Sequence, residues 1–291
     1  MRVAYHVKRT GWQALSAEKE EGRLKRLYAK GDPTARRLHR AHEAHHRTMG
    51  EVHEAFESLG LKVTAISPRT KDLSRDRFDL VVTVGGDGTL LRASHRVLDV
   101  PVLGINSDPN TSVGFFCSVQ PGEVLLALER ALDGRLARRT LTRMQVTLQD
   151  KVLSKRVLND ALFCHLSPAA TSRYLVQIGK ASEDHKSSGF WIGPAAGSTA
   201  AQRSAGGRVL ALESQDLQFV VREPYTPKGE RYELKKVVIG PKQVVIVRSK
   251  MREGALFLDG HDDIRPRFGD VLTFRKSDEP LCLLGIGGKK R

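Results

Sequence analysis

The residues best suited to chemistry lie in one short stretch, residues 81–93, with the sequence VVTVGGDGTLLRA. Four β-prone residues lead into Gly85-Gly86-Asp87-Gly88-Thr89, and helix-forming residues follow directly. A buried strand, a glycine turn and a helix N-terminus in that order form a phosphate-binding site. Glycines let the backbone approach phosphate oxygens and can adopt positive φ. We expect Thr89 to cap the new helix, whose dipole favours anionic ligands.

Asp87 narrows the chemistry of this turn. Phosphates repel a carboxylate, so an acid beside them needs a role, either binding Mg²⁺ or accepting a proton from an attacking hydroxyl. The alternative is an ordinary strand–turn–helix corner. An Asp inside the turn and a Thr after it favour the functional interpretation.

Two later stretches offer polar or small side chains to a ligand. Asn159 and Asp160 interrupt the apolar runs KRVL and ALFC. On local grounds this pair is more often a turn or bulge, and otherwise it presents an amide and a carboxylate to a sugar or base edge. Residues 193–207, GPAAGSTAAQRSAGG, are almost all small, which suits a flat ligand against the backbone and close helix packing equally. Ser198 or Thr199 could cap a short helix that Gly206-Gly207 ends.

Two further groups of potential ligands are interpreted as structural. His42-Glu43-Ala44-His45-His46 matches the H-E-x-x-H pattern of zinc proteases. However, His42 and His45 fall in the apolar stripe of a predicted helix, and no third ligand is identifiable, so packing histidines are favoured. Residues 258–263, LDGHDD, have the composition of a hairpin turn and lack the spacing of a calcium loop.

The elements that position these residues alternate in type over the first part of the chain. Strands are predicted over residues 2–7, 61–66, 78–84 and 100–106, and helices over 34–59, after GGDGT and over 121–132, with a less regular helical segment over 11–33. This alternation predicts an α/β, Rossmann-like parallel sheet with right-handed crossovers. Ligands bind such sheets at the carboxyl ends of the strands, where GGDGT and Asn106 fall.

The sequence pattern changes near residue 137. From there, short β-prone runs are separated by Gly, Pro or Asp, which predicts a β-rich C-terminal domain. We therefore expect an α/β nucleotide-binding domain over residues 1–137 and a β-rich domain over residues 138–291. The last apolar run, in a final segment of about residues 278–291, is a candidate for packing back on the first domain.

Composition excludes several classes of protein. No apolar run approaches the roughly 20 residues of a membrane span, and the N-terminal residues lack the apolar core of a signal peptide. Cys117, Cys164 and Cys282 are far apart and odd in number, so we expect reduced thiols and a cytoplasmic protein. The net charge of +15 attracts polyanions. Dispersed basic residues, 6% aromatics and the lack of an RNA-binding or zinc-finger pattern disfavour nucleic-acid binding as the main role.

Taken together, these motifs resemble the NAD kinase family. GGDGTLLRA, PVLGIN with GFF, LND, GSTA with SAGG, and LDG with GD follow in that order over roughly residues 60–290. GGDGT alone is shared with diacylglycerol and sphingosine kinases, and the Asn-acidic pair followed by GSTA and SAGG is what separates NAD kinases from them. VLGINSDP, SSGF, AAGSTAA and DLQFVVREP are most similar to the plant-type NADH kinase branch.

The resemblance implies transfer of a phosphoryl group from ATP, or from polyphosphate, to the adenosine 2′-hydroxyl of NAD or NADH, with Mg²⁺ bound to ATP. It also implies a two-domain NAD kinase-like architecture, a dinucleotide-binding second domain, and a homo-oligomer, either a dimer or a tetramer. In this comparison Asp87 accepts the hydroxyl proton or holds the acceptor. The flanking residues Gly85, Gly86, Gly88 and Thr89 frame the phosphates, and the implied NAD(H) contacts are Asn106, Phe115, Asn159, Asp160, Thr199 and Ala200.

Three departures from the family pattern bear on the dinucleotide pocket. Ala201 replaces a tyrosine, which removes a stacking surface, and Ser188 replaces an aspartate near the nicotinamide nucleotide. Asp160 replaces the usual glutamate. The preference between NAD and NADH therefore stays open. The alternatives are a diacylglycerol-type lipid kinase that shares the GGDGT loop and a non-catalytic, basic nucleotide- or nucleic-acid-binding protein.

Overall fold

The computed structural model describes residues 1–17, 21–67, 70, 72–226 and 231–287, with the backbone alone at residues 261–263. The chain forms two compact units: unit 1 is Met1–Arg139 with Cys282–Arg291, and unit 2 is Thr140–Leu281. All three cysteines are free thiols, as predicted. In the described part of the chain, no helix has both the length and the apolar character needed to cross a membrane.

Helices and strands alternate early in the chain, and strands dominate later. The helices are α1 (Gly11–Ser16), α2 (Glu21–Ala29), α3 (Pro33–Ser58), α4 (Asp87–Ser94), α5 (Val124–Leu132) and α6 (Ala201–Ser204), with a 3-10 helix at Ala195–Thr199. The strands are β1 (Arg2–Val7), β2 (Lys62–Ala65), β3 (Leu80–Gly85), β4 (Val102–Asn106), β5 (Arg138–Leu141), β6 (Met144–Leu148), β7 (Lys151–Val157), β8 (Ala161–His165), β9 (Ser172–Ile178), β10 (Ala181–Ser187), β11 (Phe190–Pro194), β12 (Leu217–Val221), β13 (Lys236–Ile239), β14 (Val244–Ser249), β15 (Gly254–Leu258), β16 (His261–Ile264), β17 (Val271–Lys276) and β18 (Leu281–Leu284).

Unit 1 is built on a six-stranded sheet in the order β2-β1-β3-β4-β18-β5. The pairs β1–β2, β1–β3, β3–β4 and β4–β18 are parallel. Every residue of β3 is buried, as expected for a continuous apolar strand inside a parallel sheet. Helix α3 contributes Val52, Ala55 and Phe56 to the core that also contains Val3 and Val82.

The start of α3 follows from local chemistry. Pro33 occupies the first helical position, and the Asp32 carboxylate accepts hydrogen bonds from Thr34 N and Ala35 N, both at 2.9 Å. A Pro at this position and an Asp cap are both favourable at a helix start. The long helix predicted over residues 34–59 is confirmed, whereas the segment before it forms the two short helices α1 and α2.

Unit 2 consists of two six-stranded sheets, in the orders β10-β9-β14-β17-β6-β7 and β13-β12-β11-β8-β15-β16. Strand β9 alternates between buried and exposed residues along its whole length, the pattern of a sheet with one face in the core. Aromatic rings from both sheets fill that core, among them Phe163, Tyr174, Phe190 and Phe274. The predicted combination of a parallel α/β sheet and β-rich sheets is confirmed.

Candidate functional site

The GGDGT turn joins β3 directly to α4. Strand β3 ends at Gly85 and α4 begins at Asp87, so Gly86 is the N-cap residue. The expected capping role of Thr89 is wrong, because no side chain caps this helix and Thr89 lies inside its first turn. Thr89 packs against Gly85 instead.

Gly85 and Gly86 allow close packing of neighbouring side chains, and Gly88 leaves open space beside the turn. None of the three is required by an unusual backbone angle. None of the three adopts the positive φ that the sequence suggested. A Cβ at Gly85 would clash with Thr89 Oγ1 and lie 2.9 Å from Lys8 Cβ, and one at Gly86 would clash with Ser112 Oγ. Gly88 is exposed, and a Cβ there would meet nothing within 4 Å. The fold therefore requires small residues at 85 and 86 but not at 88.

The Asp87 carboxylate fastens the start of α4 to the loop after β4. Its two oxygens accept hydrogen bonds from the backbone N–H groups of Phe115 and Phe116, both at 2.8 Å. Asn106, at the end of β4, is buried and donates from Nδ2 to Ser112 O at 3.0 Å. Phe115 keeps 40% of its surface exposed. The unit 1 residues predicted from sequence thus gather at the carboxyl ends of β3 and β4, as expected for this kind of sheet.

A polar layer supports this loop from α3, and no sequence motif indicates it. Ser107 N donates to Gly85 O at 3.0 Å, and the Ser107 hydroxyl lies 2.8 Å from His45 Nδ1. Burial, reinforced by the charge of Lys8, lowers the pKa of His45 to about 4. His45 is therefore a neutral, buried packing histidine, as predicted. Among the described residues, no group of three or more His, Cys, Asp or Glu side chains could hold a metal ion.

In unit 2, the Asn159–Asp160 pair forms a bend between β7 and β8 that is held by one carboxylate. Asp259 accepts backbone hydrogen bonds from Leu158 at 2.9 Å, Asn159 at 2.7 Å and Asp160 at 3.0 Å. In return, Asp259 N donates to Asp160 O at 2.8 Å. The turn predicted at residue 259 is present, with φ of 50° at Asp259 and 72° at Gly260. The long-range role of its carboxylate was missed.

The two polar side chains of this bend are in unusual environments. Asp160 is buried, and burial together with the Asp259 charge raises the pKa of Asp160 to about 7. The side-chain oxygen Oδ1 of Asn159 is buried and has no hydrogen-bond partner among the described residues. A buried acceptor without a partner is costly, so this oxygen is suited to a donor group on a ligand.

The small-residue stretch packs against the same bend. A Cβ at Gly193 or at Gly197 would clash with the Asn159 carbonyl oxygen, so close backbone approach explains both glycines. The Asn159 carbonyl also accepts a hydrogen bond from Gln202 Nε2 at 3.1 Å. Thr199 and Ala200 are exposed and Ala201 is half-buried. These three predicted residues therefore lie on the segment that contacts the Asn159–Asp160 bend.

Of the two sequence-based expectations for this stretch, the helix cap is wrong and the glycine end is confirmed. Neither Ser198 nor Thr199 caps α6, whose N-cap residue is Ala200. Ser198 Oγ instead donates to Ala195 O at 2.7 Å and accepts from Leu210 N at 3.0 Å, which ties the 3-10 helix to a later loop. The predicted glycine end is confirmed, since Gly206 has a φ of 84° and follows α6.

Among the predicted residues of unit 2, Ser188 is the one that the structure does not bring to this bend. Strand β11 pairs antiparallel with β8 so that Ile192 faces Ala161 and Phe190 faces Phe163. Ser188 precedes β11, and its N–H donates to Arg222 O at 3.1 Å. It therefore lies at the end of the β8–β11 pair remote from Asp160, and its place in a dinucleotide pocket stays a prediction.

Comparison with known proteins places these features in a family context. Residues 29–136 match the family described as the ATP-NAD kinase N-terminal domain. A probable NADH kinase of Oryza sativa subsp. japonica is 35% identical over 241 residues, which cover 74% of each chain. The NADH kinase of Arabidopsis thaliana is 39% identical over 227 residues, covering 70% of this chain and 71% of that one.

A solved structure shares the fold. The crystal structure of an NAD kinase from Archaeoglobus fulgidus in complex with ATP matches with a TM-score of 0.70, at 20% sequence identity, and covers 99% of this chain and 95% of that chain. The predicted two-domain fold class is confirmed by this likeness.

Proposed function

Because the chain belongs to the NAD kinase family, we propose that it transfers the γ-phosphoryl group of ATP to the adenosine 2′-hydroxyl of NAD or NADH, giving NADP or NADPH. The observation that carries this proposal is the Asp259-held Asn159–Asp160 bend, packed against the 193–202 segment. Kinases that share only the GGDGT loop are not expected to have it. The names of the two plant relatives make NADH the first acceptor to test.

Phosphoryl transfer depends on positioning and charge neutralisation more than on covalent chemistry. Mg²⁺ enters as part of the MgATP substrate. We assign the phosphate contacts to Gly85, Gly86, Gly88 and Thr89 at the start of α4, where the positive end of the helix dipole favours anions. Asp87 accepts the proton of the attacking hydroxyl or holds the acceptor, and its two backbone hydrogen bonds fix the carboxylate orientation.

The acceptor contacts are assigned to the residues around the bend in unit 2. The side-chain oxygen of Asn159, which has no hydrogen-bond partner among the described residues, can accept a hydrogen bond from a ligand hydroxyl or amine. Asp160, Thr199, Ala200 and Ala201 complete this set, with Asn106, Phe115 and Ser188 as further dinucleotide contacts. The family resemblance also leads us to propose a cytoplasmic homo-oligomer.

One assay tests both the class of enzyme and the identity of the phosphoryl acceptor. Purified protein is incubated with MgATP and either NAD or NADH, and NADP and NADPH are separated and quantified. We expect a phosphorylated dinucleotide from at least one acceptor. Phosphorylation of diacylglycerol instead would identify a lipid kinase, and salt-sensitive DNA binding without any dinucleotide product would identify a non-catalytic binding protein.

The Asp87→Asn variant tests the catalytic assignment in the same assay. Loss of a positioned base lowers turnover by roughly 10²–10⁴-fold. The dinucleotide contacts of unit 2 do not involve Asp87, so dinucleotide binding is expected to persist. Turnover close to that of the unmodified protein would contradict the role of Asp87.

A further inference from the structure

A lysine that the sequence motifs did not include lies directly beside the GGDGT turn. Lys8 follows β1, and its backbone N–H donates to Val84 O at 2.9 Å. The register pairs Val7 with Val84, so Lys8 lies opposite Gly85 at the carboxyl end of the sheet. The side chain starts on the side where Gly85 lacks a Cβ, because a Cβ built there would lie 2.9 Å from Lys8 Cβ.

The charge of Lys8 acts at the same edge of the sheet. It contributes to the lowered pKa of His45, and His45 contacts Ser107, whose N–H bonds to Gly85 O. Lys8 is half-buried, and among the described residues its ammonium group forms no ion pair or hydrogen bond. A lysine ammonium is a compact point charge with three donors and is well suited to phosphate oxygens.

We propose that Lys8 binds the polyphosphate chain of ATP at the GGDGT turn. This inference rests on the proposed function in taking ATP as the phosphoryl donor, and it extends the donor site from α4 to β1. The triphosphate of ATP is favoured over the diphosphate of NAD because it carries more negative charge.

The experiment measures ATP binding without turnover. Isothermal titration calorimetry with MgATP, and separately with NAD, is carried out on the full chain and on Lys8→Met, Lys8→Arg and Lys62→Met. Lys62 is the matched control: it is an exposed lysine at the opposite end of the same sheet, where it pairs with Arg2. Inorganic tripolyphosphate is added as a competitor to separate phosphate contacts from adenine contacts.

Loss of one charge-assisted hydrogen bond weakens binding by about 10-fold or more. We expect Lys8→Met to weaken MgATP binding by that amount and to lose tripolyphosphate competition, with NAD affinity unchanged. Lys8→Arg keeps the charge and is expected to retain most of the affinity, and Lys62→Met all of it. Thermal unfolding of each variant verifies folding, and Lys8→Gln replaces Lys8→Met if the methionine variant does not fold.

The inference is overturned if Lys8→Met binds MgATP with the same affinity as Lys62→Met. It is also overturned if Lys8→Met lowers the affinity for NAD at least as much as the affinity for MgATP. A third contradicting outcome is that the unmodified protein does not bind MgATP. These outcomes are separate from a failure of the proposed function. A protein that shows Lys8-dependent ATP binding but makes no NADP or NADPH would contradict the reaction and leave the Lys8 assignment standing.

Discussion

A single carboxylate, Asp259, organises the backbone of the bend that carries Asn159 and Asp160. It is largely buried and satisfies three backbone N–H groups. Asp259→Asn keeps the positive φ, which Asn tolerates, but replaces one acceptor oxygen with an NH₂ group that faces an N–H donor. Leaving a buried donor unsatisfied costs about 1–3 kcal/mol, so we expect the free energy of unfolding to fall by about 2 kcal/mol, with weaker dinucleotide binding.

The control for this variant is Asp278→Asn, on an aspartate of the same unit. The Asp278 side chain is 72% exposed and pairs with Lys155. Exposed ion pairs contribute about 0–1 kcal/mol, so its urea unfolding curve should shift little. Equal shifts for the two variants would show that Asp259 does not hold the bend.

Asp160 makes a second residue-scale prediction, on pH. Burial and then the Asp259 charge raise its pKa to about 7 in the folded protein, from an ordinary value of 3.8. The folded state therefore holds this proton more strongly than the unfolded chain does between those pH values. The resulting stability is full below about pH 4 and is lost as pH rises through about 7.

The unfolding free energy should thus fall from pH 5 to pH 8 by up to about 3 kcal/mol, since one pKa unit is worth about 1.4 kcal/mol. Asp160→Asn cannot ionise and should remove this fall, which urea titrations at four pH values would measure. If both proteins show the same pH dependence, Asp160 is ionised in the folded state throughout.

The contrast between Asp87 and Asp259 shows what sequence can reveal about a site. Asp87 was predicted because strand, glycines and helix are adjacent in sequence and act through local geometry. Asp259 lies about 100 residues from its partners along the chain. The residues around Asp259 also have the composition of an ordinary hairpin turn. A pairing over that distance leaves no local pattern, and His45 was likewise recognisable as buried but not as the partner of Ser107.

At the scale of the strand–turn–helix element, substitutions at two glycines are expected to have different effects, one on stability and the other on activity. Gly85→Ala places a Cβ against Thr89 and Lys8, and such overpacking costs about 1–3 kcal/mol. Gly88→Ala has open space, and Ala is favoured over Gly in a helix by up to about 1 kcal/mol. We expect Gly88→Ala to keep or raise the melting temperature and yet to lower kcat/KM for ATP at least about tenfold, because displacing a substrate by 1 Å can cost about 100-fold.

Melting curves and steady-state kinetics on the two variants distinguish these effects. Gly85→Ala should lose stability, whereas Gly88→Ala should lose activity alone. Full activity of Gly88→Ala would mean that no substrate phosphate approaches the turn at that position.

Elements with strong local patterns were predictable, and their ends were less so. The apolar spacing of α3 and the continuous apolar run of β3 matched the structure closely. Both predicted side-chain caps near the site were wrong, because Thr89 and Ser198 are used in packing and loop contacts instead. A hydroxyl near a helix start has several available partners, and tertiary packing decides among them.

At the scale of the whole molecule, unit 1 is discontinuous in sequence. Strand β18 returns to its sheet after the whole of unit 2 and lies between β4 and β5. The apolar run at residues 281–284 is visible in the sequence, but its hydrophobic pattern does not indicate which strands it lies between in the sheet. Leu283 pairs with Val102 in parallel, and Leu281, Leu283 and Leu284 are buried. The backbone of β18 is further tied by Ser118 Oγ donating to Leu284 O at 2.9 Å.

This connectivity predicts that residues 1–139 do not fold alone. Without β18, strand β4 would expose an unpaired edge and apolar side chains of the unit 1 core, and such edges promote aggregation. Residues 1–139 joined through a flexible glycine-serine linker to residues 281–287 restore the missing strand without unit 2. Heat denaturation followed by circular dichroism should show a cooperative transition for the linked chain and none for residues 1–139. A cooperative transition in residues 1–139 alone would show that the sheet of unit 1 is stable without β18, and failure of both chains would show that unit 1 also requires unit 2 to fold.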